Sequence, residues 1–119
     1  MLLKSLHAYL DQGVSDIVLS DTIGVATPKL IDEVLTSVAA HLPLPSVTLH
    51  LHDTRGTALA NIYRGLQHGV VRFDSSAGGL GGCPYAPGAA GNLATEDLIY
   101  FCEEMGIKTG VNLTKLVKA

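Results

Sequence analysis

Residues 16–40, DIVLSDTIGVATPKLIDEVLTSVAA, contain a complete strand–loop–helix unit. DIVLSD is a short apolar run with an Asp at each end, which predicts a buried strand over about 16–20. Thr27 stands before Pro28, an N-cap residue followed by the residue favoured at the first helical position. Ile31, Leu35, Val38 and Leu42 then keep a helical stripe as far as the proline-bearing HLPLP.

The same unit recurs downstream. SVTLHLHD (46–53) predicts a second strand, and GTALANIYRGLQHG (56–69) a helix with Leu59, Ile62 and Leu66 on one face and Gly69 at its end. VVRFDSS (70–76) predicts a third strand. LATEDLIYFCEEMG (93–106) predicts a helix whose apolar side holds Leu98, Phe101, Cys102 and Met105, with a last short helix after Asn112. Upstream, Leu2, Leu3, Leu6 and Leu10 fall at helical spacing before Gly13. A leading helix followed by three strand–helix units means parallel strands with right-handed crossovers, hence an α/β fold. Three parallel strands leave edges that other strands or other copies are expected to cover.

Composition agrees. The 119 residues are 47% hydrophobic and 16% charged with a mean hydropathy of +0.32, so some apolar surface is expected to face a further partner. The net charge of −3 gives no basic footprint for nucleic acid or an anionic membrane. Two cysteines make no disulfide framework, and the expectation is an intracellular chain. Lys4, His7 and Asp11 break the first apolar stretch, which therefore reads as neither signal peptide nor membrane span.

In parallel α/β folds reactive side chains collect at the carboxyl ends of strands. Those ends carry Ser20-Asp21-Thr22, His50-Leu51-His52-Asp53 and Asp74-Ser75-Ser76. His50 and His52, two apart on a strand, point to the same side and can offer two nitrogens to one divalent metal. A bare H-x-H more often makes ordinary hydrogen bonds, because a metal site needs at least three ligands. Asn92 carries an amide oxygen suited to a hard cation, but from position alone it reads as the cap of the helix that follows, whose first turn holds Glu96 and Asp97. Asp21 reads equally as a proton-transfer group or as the turn-former before Gly24, and Asp53 and Asp74 as groups supporting the site. GGLGGCPYAPGAAGN (78–92) lacks the G-K-[ST] of a P-loop and the third glycine of a dinucleotide fingerprint. It reads as a lid that delivers the thiol of Cys83 to a reacting centre. Cys102, on an apolar helix face, reads as core.

SDTIGVATP, LHLHDTRGTALAN, DSSAGGLGGCPYAPGAAGNLATEDLIY and MGIKTGVNLTKL, in this order, resemble the hydroxymethylglutaryl-CoA lyase family of metal-dependent TIM-barrel carbon–carbon lyases. The resemblance spans residues 16 to about 117. It implies that residues 1–119 are strands six to eight of a (β/α)8 barrel with the fifth helix ahead of them, a partial domain truncated on its N-terminal side. It implies His50, His52 and Asn92 as ligands of Mg2+ or Mn2+, and Cys83, Asp21 and His50 as catalytic groups. Cys83 would donate or relay a proton near the acetyl-CoA carbanion, and Asp21 would help deprotonate the substrate's tertiary alcohol. The reaction implied is cleavage of an acyl-CoA, 3-hydroxy-3-methylglutaryl-CoA, to acetyl-CoA and acetoacetate, the alternatives being a related acyl-CoA lyase or Claisen-type synthase and a non-catalytic truncated module. The Arg-Asp pair of the family's first strand has no counterpart here, so self-association or the missing barrel half is expected to complete the site. The expected compartment is the bacterial cytoplasm, or alternatively the mitochondrial matrix.

Overall fold

The computed structural model describes residues 1–82 and 91–119. Its elements are α1 (Leu2–Asp11), β1 (Ile17–Asp21), α2 (Pro28–Ala39), β2 (Val47–Leu51), α3 (Ala58–His68), β3 (Arg72–Asp74), α4 (Thr95–Glu104) and α5 (Leu113–Leu116), with short 3-10 turns at Leu44–Ser46 and Ala77–Gly79. The described residues form a sheet in the order β1-β2-β3, both pairings parallel.

The register fixes which side chains share a face. Ser20 pairs with His50 and His50 with Asp74, a row that runs straight across the sheet. On the opposite face Val47, Leu49 and Leu51 are buried, and with Leu35, Val38, Ile62 and Val70 they form the centre of the core under α2 and α3. Period-two alternation therefore puts the polar row on one side and the helices on the other. On the polar side Val18 is 57% exposed, apolar surface left uncovered among the described residues.

Local signals set the element ends. Thr27 accepts from the Leu30 N–H, with Pro28 in the first helical turn. Gly69 takes φ +92°, the left-handed cap that ends α3. Asn112 Oδ1 accepts from the Lys115 N–H and starts α5.

Three expectations change. The helix after Asn92 is capped at Ala94 with no side-chain bond, so Asn92 is not its cap. Met105, expected on the apolar face of α4, lies at the helix end and is 48% exposed, while Ile99 is buried beside Leu98 and Cys102. On α1 only Leu6 is buried, and Leu2 and Leu3 are exposed.

Candidate active site

β2 ends at Leu51, and His52 lies one residue beyond it in an antiparallel bridge with Asn92. Two backbone bonds hold that bridge: Leu93 N–H to Leu51 O at 3.1 Å, and Asp53 N–H to Gly91 O at 3.2 Å. The segment after the glycine loop thus folds back along the carboxyl end of β2 and sets Asn92 opposite His52. Asn92 donates through Nδ2 to Leu80 O at 3.0 Å, which ties the two ends of the loop together.

The imidazoles of His50 and His52 are edge-on, centroids 5.1 Å apart, with their Nε2 atoms 3.2 Å from each other. His50 Nδ1 lies 2.5 Å from Asp74 Oδ1. An ionised carboxylate only accepts, so Nδ1 carries the proton and His50 Nε2 presents a lone pair towards His52. His52 is buried, and its Nδ1 has no hydrogen-bond partner among the described residues. Whichever tautomer His52 takes, one imidazole nitrogen is left short of a partner.

That donor set fits a divalent cation. Two Nε2 atoms about 3 Å apart match neighbouring ligand positions around one small cation, and a carboxylate behind a histidine is the support such a ligand usually has. The described residues contain no group of three or more His, Cys, Asp or Glu side chains able to hold a metal ion, so a third donor among them is another type of group. Asn92, opposite His52, is of that type.

Asp21 is placed differently. It pairs with Leu51 as the last residue of β1, one position beyond Ser20, which stands in the row that carries His50. Its Oδ1 accepts from the Val25 N–H at 3.0 Å and its Oδ2 from the Ala26 N–H at 2.8 Å. It lies at the mouth of an apolar groove lined by Leu19, Leu30, Ile31 and Leu51. The structure brings His50, His52 and Asn92 together, and among the described residues the Asp21 carboxylate bonds to the loop after β1. Cys83 lies outside the described residues.

Three groups carry weight that the sequence reading did not give them. Asp74, read there only as a supporting group, is the direct partner of His50. Glu96, read as a dipole partner, accepts from the Gly78 N–H at 2.8 Å and anchors the loop's entry. Asn61, fully buried on α3, was not singled out. The clue available was an Asn four residues after Thr57 on the face of a helix that also packs Ile62.

A family model described as HMGL-like matches residues 1–119. The chain belongs to the HMGL-like family. This family is metal-dependent, which agrees with the donor set at the end of β2. The chain is 52% identical over 118 residues to a hydroxymethylglutaryl-CoA lyase of Bacillus subtilis, an alignment covering 99% of this chain and 40% of that protein. It is 54% identical over 111 residues to the human mitochondrial hydroxymethylglutaryl-CoA lyase, covering 93% of this chain and 34% of the relative. The solved structure of an HMG-CoA lyase from Acinetobacter baumannii, in complex with coenzyme A and 3-methylmalate, superposes with a TM-score of 0.93 at 42% identity. That match covers 98% of this chain and 38% of the solved one. The parallel β/α units are therefore part of the barrel fold of these lyases, and the chain spans well under half the length of the relatives it matches.

Proposed function

We infer that this chain carries the metal-binding edge of a hydroxymethylglutaryl-CoA lyase, which cleaves 3-hydroxy-3-methylglutaryl-CoA to acetyl-CoA and acetoacetate. The observation that carries the reading is the His50–His52 pair at the carboxyl end of β2, backed by Asp74 and faced by Asn92, in a chain so similar to known lyases. His50, His52 and the Asn92 amide oxygen would hold Mg2+ or Mn2+. Such a cation supplies Lewis-acid stabilisation of negative charge on substrate oxygens.

The chain's own residues would serve the two proton transfers. The substrate's tertiary alcohol loses its proton, the bond between that carbon and the carbon next to the thioester breaks, and its electron pair goes to the thioester side. The alcohol carbon becomes the ketone of acetoacetate, and the acetyl-CoA carbanion takes up a proton. Cys83 is the proposed donor of that proton. Asp21 is the proposed acceptor for the alcohol, since its two amide bonds use about half of a carboxylate's acceptor capacity. Orientation of substrate by the completed barrel would add to the rate.

We read residues 1–119 as a partial barrel lacking strands on the N-terminal side. Val18 on the polar face and Val71 beside β3, 57% and 65% exposed, mark where the missing half, or further copies of this chain, would cover it. Among the described residues no helix is long and apolar enough to cross a membrane. The proposed compartment is the bacterial cytoplasm or the mitochondrial matrix.

The test is acetyl-CoA release from 3-hydroxy-3-methylglutaryl-CoA with added Mn2+. The chain is assayed alone and mixed with the N-terminal part of the Bacillus subtilis lyase. Release that disappears in Cys83→Ala supports the proposal. No release in either sample, from folded protein, contradicts it.

A further inference from the structure

The segment that follows His52 grips the loop that follows β1. Thr57 Oγ1 donates to Ala26 O at 2.9 Å, and Asn61 Nδ2 donates to the same oxygen at 2.9 Å. Arg55 reaches the carbonyls of Ile23 and Gly24, each at 3.4 Å. Gly24 has φ +63° and lies so close to Thr54 that a Cβ there would stand 2.5 Å from Thr54 Oγ1. The gripped residue, Ala26, in turn donates its own N–H to Asp21 Oδ2. A continuous chain of bonds thus runs from α3 through one backbone residue to a carboxylate at the edge of the site.

Asn61 is a poor choice for stability alone. It is fully buried beside Ile62, its Nδ2 makes one bond, and its Oδ1 has no partner among the described residues. A leucine of similar size would fill that space without leaving a buried polar atom unpaired. The residue is explained by what its Nδ2 does, which is to hold Ala26 O together with Thr57.

We propose that Thr57 and Asn61 are positioning residues that fix the Asp21 carboxylate by pinning Ala26. The consequence is that Asp21 keeps its place relative to the histidine pair, because His52 and Thr57 belong to one short stretch of chain. As a contribution to catalysis the proposal rests on the lyase reading above, whereas the positional coupling is independent of it.

The experiment follows the backbone amides of Val25 and Ala26 by 15N NMR and reads how far they move when Asp21 is replaced by Asn. In the otherwise unaltered chain both resonances move on that substitution, because both amides bond the carboxylate. The double variant Thr57→Val, Asn61→Leu keeps the core amides of Leu49 and Leu51 in place and loses the movement at Val25 and Ala26. Thr57→Ser, which keeps the hydroxyl, retains it. Thr57→Val alone is the second variant, close in shape and partly exposed, and it weakens the movement even if the double variant does not fold. Unchanged movement at Val25 and Ala26 in folded Thr57→Val and in the double variant would overturn the proposal. Turnover of 3-hydroxy-3-methylglutaryl-CoA by the unaltered chain, alone and with the added barrel half, is read separately. Its absence would count against the lyase reading and leave the amide result to decide the coupling.

Discussion

Asp74 Oδ1 lies 2.5 Å from Nδ1 of His50, two residues paired across β2 and β3 in one row of the sheet. The pairing fixes the ring and turns its second nitrogen towards His52. Removing a carboxylate of this kind typically costs 10–100-fold in metal affinity. Asp74→Ala is therefore expected to weaken Mn2+ binding by about that factor, read by isothermal titration calorimetry, with the fold retained. An unchanged affinity would mean that the ring is held by something else.

The glycine loop is closed by backbone approach as much as by side chains. Any Cβ on Gly91 would fall into the carbonyl of Gly81, which leaves no room for even a methyl group. Gly91→Ala is expected to lower stability by about 2–4 kcal/mol through forced displacement of backbone, measured by thermal or urea melting. Gly56→Ala meets nothing within 4 Å and carries only the strain of its φ of +68°, so it serves as the milder control.

Much of this was legible in the sequence, for physical reasons that differ by element. β2 was plain because its alternation is strict: Val47, Leu49 and Leu51 bury one face and His50 stands on the other. The start of α2 was plain because Thr27 and Pro28 act within one turn. Asp21 was harder. β1 runs one residue further than its apolar run suggested, so Asp21 ends the strand and its carboxylate takes the amides of Val25 and Ala26. The role of Asn92 could not be read locally, since its partner is the bridge to His52, forty positions earlier. Asn61 was missed because helix periodicity weighs apolar residues, and a buried amide reveals itself only through the carbonyl it meets.

A surface cluster should govern the acid side of the stability curve. The Asp32 carboxyl is held below its ordinary value of 3.8, first by the hydrogen bond from His68 and then by that from Arg64. A depressed folded-state value means that the stabilisation is present above pH 3.8 and is lost as pH falls through the lower folded value. The Asp16 carboxyl, lowered chiefly by its bond to Arg72, acts in the same direction. Asp32→Asn should thus reduce the loss of stability in acid melts, and high salt should shrink the difference, since these groups are exposed. An unaltered acid limb in Asp32→Asn would remove this cluster from the account.

In the core, Leu35 and Ile62 are fully buried on α2 and α3. Truncation of either to Ala is expected to cost about 2–5 kcal/mol, the transfer loss plus the cavity left behind. Chemical denaturation checks it, and a loss under 1 kcal/mol would mean that the helices do not pack on the sheet as described.

The carboxyl end of β2 is proposed as a metal-binding edge built on His50 and His52. Pulsed electron-nuclear double resonance of bound Mn2+ decides this, because it detects nitrogen nuclei coordinated to the ion. Coupling to imidazole nitrogens is expected in the unaltered chain, reduced in His52→Ala and absent when both histidines are replaced. Bound Mn2+ with no nitrogen coupling, or coupling unchanged by those substitutions, would contradict it.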